Sequence, residues 1–184
     1  MRFASYATIA LSFIGAAVAL PAVKRTSVDD IETAMSTLAS KISALDAALV
    51  AYPAADHLLT PSELYNQILA AGSAADTATA AAQPITVLSD DDSKAIFVRV
   101  QNAIPKLDDL VQQLIAKKSG FTGLPASGGI EALILKGLQS FTNSITTLGN
   151  SLVAIAPPDK QSNAETLVQR ITRALATVIV AYSS

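Results

Sequence analysis

Few residues in this chain are of a type that could do chemistry. His57 is the only histidine and there is no cysteine. It stands in the stretch Ala54-Ala55-Asp56-His57-Leu58, between two helical segments. A nucleophile–base pair would have to run through this one imidazole and a serine that no spacing singles out. Asp56 is a sequence neighbour, and adjacency alone does not make a dyad. Asp90-Asp91-Asp92 offers hard oxygen ligands, but the alternating ligand spacing of a calcium loop is absent. Three carboxylates directly after Ser89 suit the positive end of a helix instead. The glycines between Gly120 and Gly129 lack the lysine and the preceding strand of a phosphate loop. These residues point away from an enzyme and imply no metal site and no cofactor.

What the sequence does carry is apolar periodicity. A first helix opens at Ser27 and repeats Val28, Ile31, Met35, Leu38, Ile42, Leu45 and Leu49 in steps of three and four, ending near Tyr52-Pro53. Thr60-Pro61-Ser62-Glu63 reads as a capping box with proline at the first helical position. The stripe that follows is Leu64, Ile68, Ala71, Ala75 and Ala78, fading from bulk into alanine before Pro84. A third helix starts at Ser89 and carries Phe97, Val100, Ile104, Leu107, Val111 and Leu114. Pro105 lies inside it, which predicts a kink or two shorter helices. A loop over Ser119–Gly129 precedes a fourth helix with Ile130, Ile134, Gly137, Phe141, Ile145, Leu148 and Leu152. Beyond Pro157-Pro158, a fifth from about Asp159 carries Leu167, Val168, Ile171, Leu175, Val178 and Tyr182. No segment alternates at period two. The expectation is an all-α, single-domain bundle of about five amphipathic helices.

The N-terminus has the form of a secretory signal. Arg2 precedes an apolar run from Tyr6 to Leu20, and Ala17-Val18-Ala19 has the small-x-small pattern of a cleavage site, placing a signal peptide at residues 1–19. Lys24-Arg25 reads either as a kexin-type cut that ends a pro-segment over residues 20–25, or as ordinary surface charge. Removing residues 1–25 takes away Arg2, Lys24 and Arg25, so 10 basic residues face 15 acidic ones, a formal net charge of −5. An acidic chain is a poor partner for nucleic acid or an anionic membrane. Residues 26–184 are enough for one domain with a real core, and without cysteine that core must hold the fold unaided. The run Leu175–Tyr182 is too short for a glycolipid-anchor tail and is in phase with the stripe upstream, so it reads as a core helix and not as a membrane anchor.

The signal peptide, the short pro-segment, the absence of cysteine and the five helices combine with two further features. These are the run Ile104-Pro105-Lys106-Leu107-Asp108-Asp109-Leu110-Val111 leading to Lys117-Lys118-Ser119-Gly120-Phe121, and a last helix ending near Ala181-Tyr182. Together they resemble the fungal hydrophobic surface-binding protein A family, which also contains the antigenic cell-wall mannoproteins (galactomannoproteins). The resemblance spans about Ser27 to Ser184. It implies a helical bundle whose apolar interior takes fatty acids, in a protein of the cell wall or the medium. For some members it implies adsorption to hydrophobic surfaces and recruitment of polyester-degrading hydrolases. The Ser/Thr-rich tail and anchor signal of longer wall mannoproteins are not matched, so covalent wall attachment is not expected.

Two non-catalytic mechanisms follow. In one, the bundle closes around a fatty acid or other lipid. The candidate pocket wall is then Leu38, Ile42, Leu45, Ile68, Ala71, Ala75, Phe97, Val100, Ile104, Phe141, Ile145, Leu148, Ile171, Leu175 and Val178. Gln101, Thr142 and Thr172 on the flanks are the candidates for the head group. In the other, helices part and lay whole apolar faces on wax, polyester or an interface. Ala71, Ala75, Ala78 and Gly137 either let helices approach closely or leave a void; periodicity leaves both open. His57→Ala is expected to leave function intact, and a hydrolytic activity of the secreted protein abolished by that change would establish the catalysis denied here.

Overall fold

A computed structural model describes residues 23–51, 60–122 and 127–183 of the chain. The signal peptide, residues 20–22 of the pro-segment and the stretch holding Asp56 and His57 lie outside the described residues. Five helices account for the rest: α1 (Val23–Ala51), α2 (Pro61–Ala82), α3 (Asp90–Thr122), α4 (Ser127–Ile155) and α5 (Gln161–Ser183). No strand occurs among the described residues. Lys24 and Arg25 fall in the first turn of α1.

Local chemistry explains the starts. Thr60 caps α2: its hydroxyl accepts from the Glu63 N–H at 3.2 Å while the Glu63 carboxylate accepts from the Thr60 N–H at 2.8 Å. The Thr60 hydroxyl also donates to that carboxylate at 2.9 Å. The two bonds donated to it, from the Thr60 N–H first and the hydroxyl second, hold the Glu63 carboxyl below its ordinary range. Ser89 does the same for α3, accepting from the Asp92 N–H at 3.2 Å and donating to the Asp92 carboxylate at 2.6 Å. The acidic run at 90–92 is therefore a helix start. Of the two expectations at Pro105, the break into two shorter helices does not occur: α3 runs through it as one helix. Pro105 is exposed, so the carbonyl it deprives of a donor faces water, while Ile104 and Leu107 on either side stay buried. The predicted loop over Ser119–Gly129 is also shorter, because α3 continues to Thr122 and α4 begins at Ser127.

The helices form a ring in the order α1–α2–α4–α5–α3, closing back on α1, with α3 and α4 touching only sparsely across it. Paired side chains give the register of the three parallel helices. Arg99 of α3 meets Glu32 of α1 at 2.6 Å. Lys160, just before α5, meets Asp90 of α3 at 2.7 Å, and Arg170 of α5 meets Asp108 at 2.9 Å. At the far end the buried Tyr182 hydroxyl of α5 donates to the Leu114 carbonyl of α3 at 2.9 Å, and Lys118 donates to the Ala181 carbonyl at 2.7 Å. The exposed ion pairs are screened by solvent and set register more than stability. At the opposite end the Leu88 N–H donates to the Ile155 carbonyl at 2.8 Å, pinning the α2–α3 connection to the end of α4.

Packing differs around the ring. Ala71, Ala75 and Ala78 of α2 are fully buried, and α2 packs extensively on both α1 and α4. A Cβ built on Gly137 of α4 would lie 2.9 Å from the Tyr65 ring, and one on Gly149 would lie 2.8 Å from Val168 of α5. The small residues thus serve close approach, not a void.

Two sets of substitutions test this packing. Gly149→Ala is expected to destabilise by about 1–3 kcal/mol, because Val168 is stiff in a helix and α5 must move. Gly72→Ala, whose Cβ would meet only ordinary contacts at 3.7 Å, should be neutral or stabilising by about 0.5–1 kcal/mol; urea midpoints at constant m compare them. Tyr182→Phe should cost about 1 kcal/mol by the same measurement. Burial, with a smaller contribution from the Glu131 charge, raises the Tyr182 pKa. The native state therefore holds this proton where the unfolded chain releases it. The associated stability is present below the ordinary tyrosine value of about 10 and is lost as pH rises beyond it. Tyr182→Phe should flatten that alkaline decline.

Candidate functional site

On the side of the ring away from α2, the larger stripes do not meet. Where α1, α3, α4 and α5 face one another they leave an apolar cavity of about 90 Å³. Met35, Leu38 and Ile42 line it from α1, and Ile145, Leu148, Gly149 and Leu152 from α4. From α3 come Ser93, Ile96, Phe97, Val100, Ala103 and Leu107; from α5 come Ala164, Leu167, Val168 and Ile171. Leu88 and Ala156, in the two connections tied by the Leu88–Ile155 hydrogen bond, close one end.

Part of the lining is only half-buried: Phe97, Val100, Leu167, Val168 and Ile171 on α3 and α5, and Ile145, Gly149 and Leu152 on α4. Phe97 and Leu167 also line a groove on the outer surface, so the cavity opens at the α3–α5 seam. They share this shallow groove with Lys94, Gln101, Lys160, Asn163 and Thr166. The hydrogen bond to Asp90 raises the Lys160 pKa, with the charges of Asp90, Asp159 and Asp91 acting in the same direction. Lys160 is thus already neutralised at the rim. Among the described residues the cavity lining has one polar side chain, Ser93, which is 0% exposed.

The sequence-predicted wall is divided by the structure. Leu38, Ile42, Phe97, Val100, Ile145, Leu148 and Ile171 line the cavity. Leu45, Ile68, Ala71, Ala75, Ile104, Phe141, Leu175 and Val178 are buried elsewhere in the core; Ile68 and Phe141 lie where α2 meets α4. Of the polar candidates, Gln101 is in the rim groove. Thr142 and Thr172 donate to the carbonyls of Leu138 and Val168, four residues back, at 2.8 Å and 2.7 Å. Residues that periodicity did not single out also reach the cavity, including Ser93, Ile96, Ala103 and Ala164. Ser93 had a readable signal: it sits four residues before Phe97, a polar side chain in phase with an apolar stripe.

Comparisons with known proteins agree on this architecture. A search of curated proteins gives no significant match. Among solved structures, the chain is similar to ligand-binding domain 1 of the Penicillium marneffei MP1 protein complexed with arachidonic acids. The TM-score is 0.76 at 20% identity, covering 86% of this chain and 99% of that one. It is also similar to AFMP4P in complex with palmitic acid, at TM-score 0.74 and 22% identity over 84% and 99% of the two chains. A third match is domain 2 of the MP1 protein with multiple arachidonic acids, at 0.69 and 17% over 88% and 94%. These likenesses establish the fold. The sequence profile of the hydrophobic surface binding protein A family matches residues 28–154, which is most of the described chain; this protein belongs to that family.

Proposed function

We propose that this protein is a secreted, non-catalytic carrier of fatty acids or related single-chain lipids, held between α1, α3, α4 and α5. The observation that carries the reading is the apolar cavity opening through the half-buried α3–α5 seam. Its similarity in fold to domains whose structures contain arachidonic and palmitic acid supports the choice of ligand. The chain contacts would be those of Leu38, Ile42, Phe97, Val100, Ile145, Leu148 and Ile171. Each methylene transferred from water contributes about 0.8 kcal/mol before ordering costs. A cavity of about 90 Å³ is smaller than the roughly 150 Å³ void that takes benzene in an engineered core. A long chain therefore widens the seam as it enters, and the sparse α3–α4 contact across the ring is the place that can give. Secretion follows from a signal peptide over residues 1–19, with residues 26–184 as the binding domain if Lys24-Arg25 is cut.

The family's description favours a second reading, adsorption to hydrophobic surfaces. The described residues offer it no large apolar face: the exposed large apolar side chains among them, Val50, Val87, Val98, Ile115 and Val180, are scattered over four parts of the chain. Adsorption would require the helices to part, and could bring a secreted hydrolase to wax or polyester.

Native mass spectrometry of the secreted protein decides between them. A co-purifying fatty acid at one-to-one stoichiometry is expected, lost in Ala103→Trp, where an indole on the cavity-lining face of α3 fills the space. A clean apo mass together with strong depletion onto hydrophobic beads would overturn the carrier in favour of adsorption.

A further inference from the structure

Ser93 is buried without a partner in an otherwise apolar cavity. Its relative exposure is 0% and its Oγ makes no hydrogen bond. That departs from the habit of this chain. Twelve other Ser and Thr hydroxyls on the described helices donate to the carbonyl four residues back, Thr37, Thr79 and Ser151 among them. For Ser93 the equivalent carbonyl belongs to Ser89, and it receives the Ser93 N–H at 2.9 Å, yet the hydroxyl is not turned onto it. Two other buried oxygens lack partners, Asp46 Oδ1 and Gln67 Oε1. Each belongs to a side chain with a second polar atom, and neither lines the cavity.

A buried hydroxyl left unpaired is expensive, and the ordinary remedy fails here. A trapped water needs two to four polar partners, and Ser93 Oγ is the only side-chain oxygen in the lining. A ligand oxygen needs only one. Charge narrows its kind further. Among the described residues no lysine or arginine lines the cavity, so an ionised carboxylate drawn inside would meet a single neutral donor and no counter-charge there. An anionic head is better left in the rim groove, where Lys94 makes no ion pair with any described residue.

We propose that Ser93 is the polar anchor of the cavity, and that it selects an uncharged oxygen at the end of a single long alkyl chain, as in a fatty alcohol or a fatty-acid ester. This rests on the lipid-carrier reading and gives it a head-group preference. The chain of such a ligand would run from Ser93 along Phe97 and Val100, while its oxygen is held at the end closed by Leu88 and Ala156. A free fatty carboxylate would occupy the same apolar space with its head at the rim, out of reach of Ser93.

The test is a titration of full-length wild type and Ser93→Ala at neutral pH with hexadecane, 1-hexadecanol, methyl palmitate and palmitate, read by displacement of a fluorescent fatty-acid probe. Ser93→Ala should fold with an undiminished melting temperature, since it removes an unpaired hydroxyl and favours the helix. It should weaken 1-hexadecanol and methyl palmitate about fivefold and leave hexadecane and palmitate within twofold. A loss on one of the two oxygenated ligands only would assign the anchor to alcohols or to esters. Equal affinities for hexadecane and 1-hexadecanol in both proteins would overturn the anchor. A loss on palmitate as large as on the alcohol would overturn the preference for an uncharged head. Wild type that displaces the probe with none of the four would instead overturn the carrier reading on which the anchor rests.

Discussion

The structure depends on how unevenly one ring of five helices can be filled. On one side α2 presents alanine, and α1 and α4 close on it until Gly137 meets Tyr65 with no room for a methyl group. Having closed there, the ring does not also close between α3 and α4, whose facing side chains are mostly Leu, Ile, Val and Phe. Protein interiors reach crystal-like density by interdigitating large with small. Where large meets large across the ring, a gap is left. The cavity is the consequence of the tight side as much as of the loose one.

The same asymmetry sorts the polar groups. The ends of the ring are tied by hydrogen bonds: Leu88 to Ile155 at one end, and Tyr182 to Leu114 with Lys118 to Ala181 at the other. Along the α3–α5 seam itself lie Lys160–Asp90, at the Leu88 end, and Arg170–Asp108 further in, both solvent-accessible pairs that contribute little. A seam fastened firmly at its ends and weakly along its length can widen without the bundle coming apart. This reconciles a small cavity with a long-chain ligand, and it also marks the first step by which helices would part on a hydrophobic surface.

Much of the fold was legible because helical periodicity and capping are local. The seven stripe positions of α1 from Val28 to Leu49 are all buried, and the caps at Thr60 and Ser89 are where the residue types placed them. At Pro105 the sequence left one helix or two open, because a proline's effect on a helix depends on whether the orphaned carbonyl sees water, and its exposure is a tertiary fact. The site was legible only in part. Leu38, Phe97, Ile145 and Ile171 share a stripe with Leu45, Ile104, Phe141 and Leu175, and nothing in the spacing separates cavity wall from packed core.

The sequence by itself determined that the chain makes amphipathic helices, roughly where they begin, and that no catalytic constellation of histidine and cysteine is available. Those properties follow from residue type and from neighbours three or four positions away. Only the tertiary structure decided that Ala71, Ala75 and Gly137 bring helices together, that the void lies across the ring from α2, and that Ser93 faces it unpaired. Whether a small residue makes a contact or a hole depends on what stands opposite, and that neighbour comes from another helix, often more than sixty residues away.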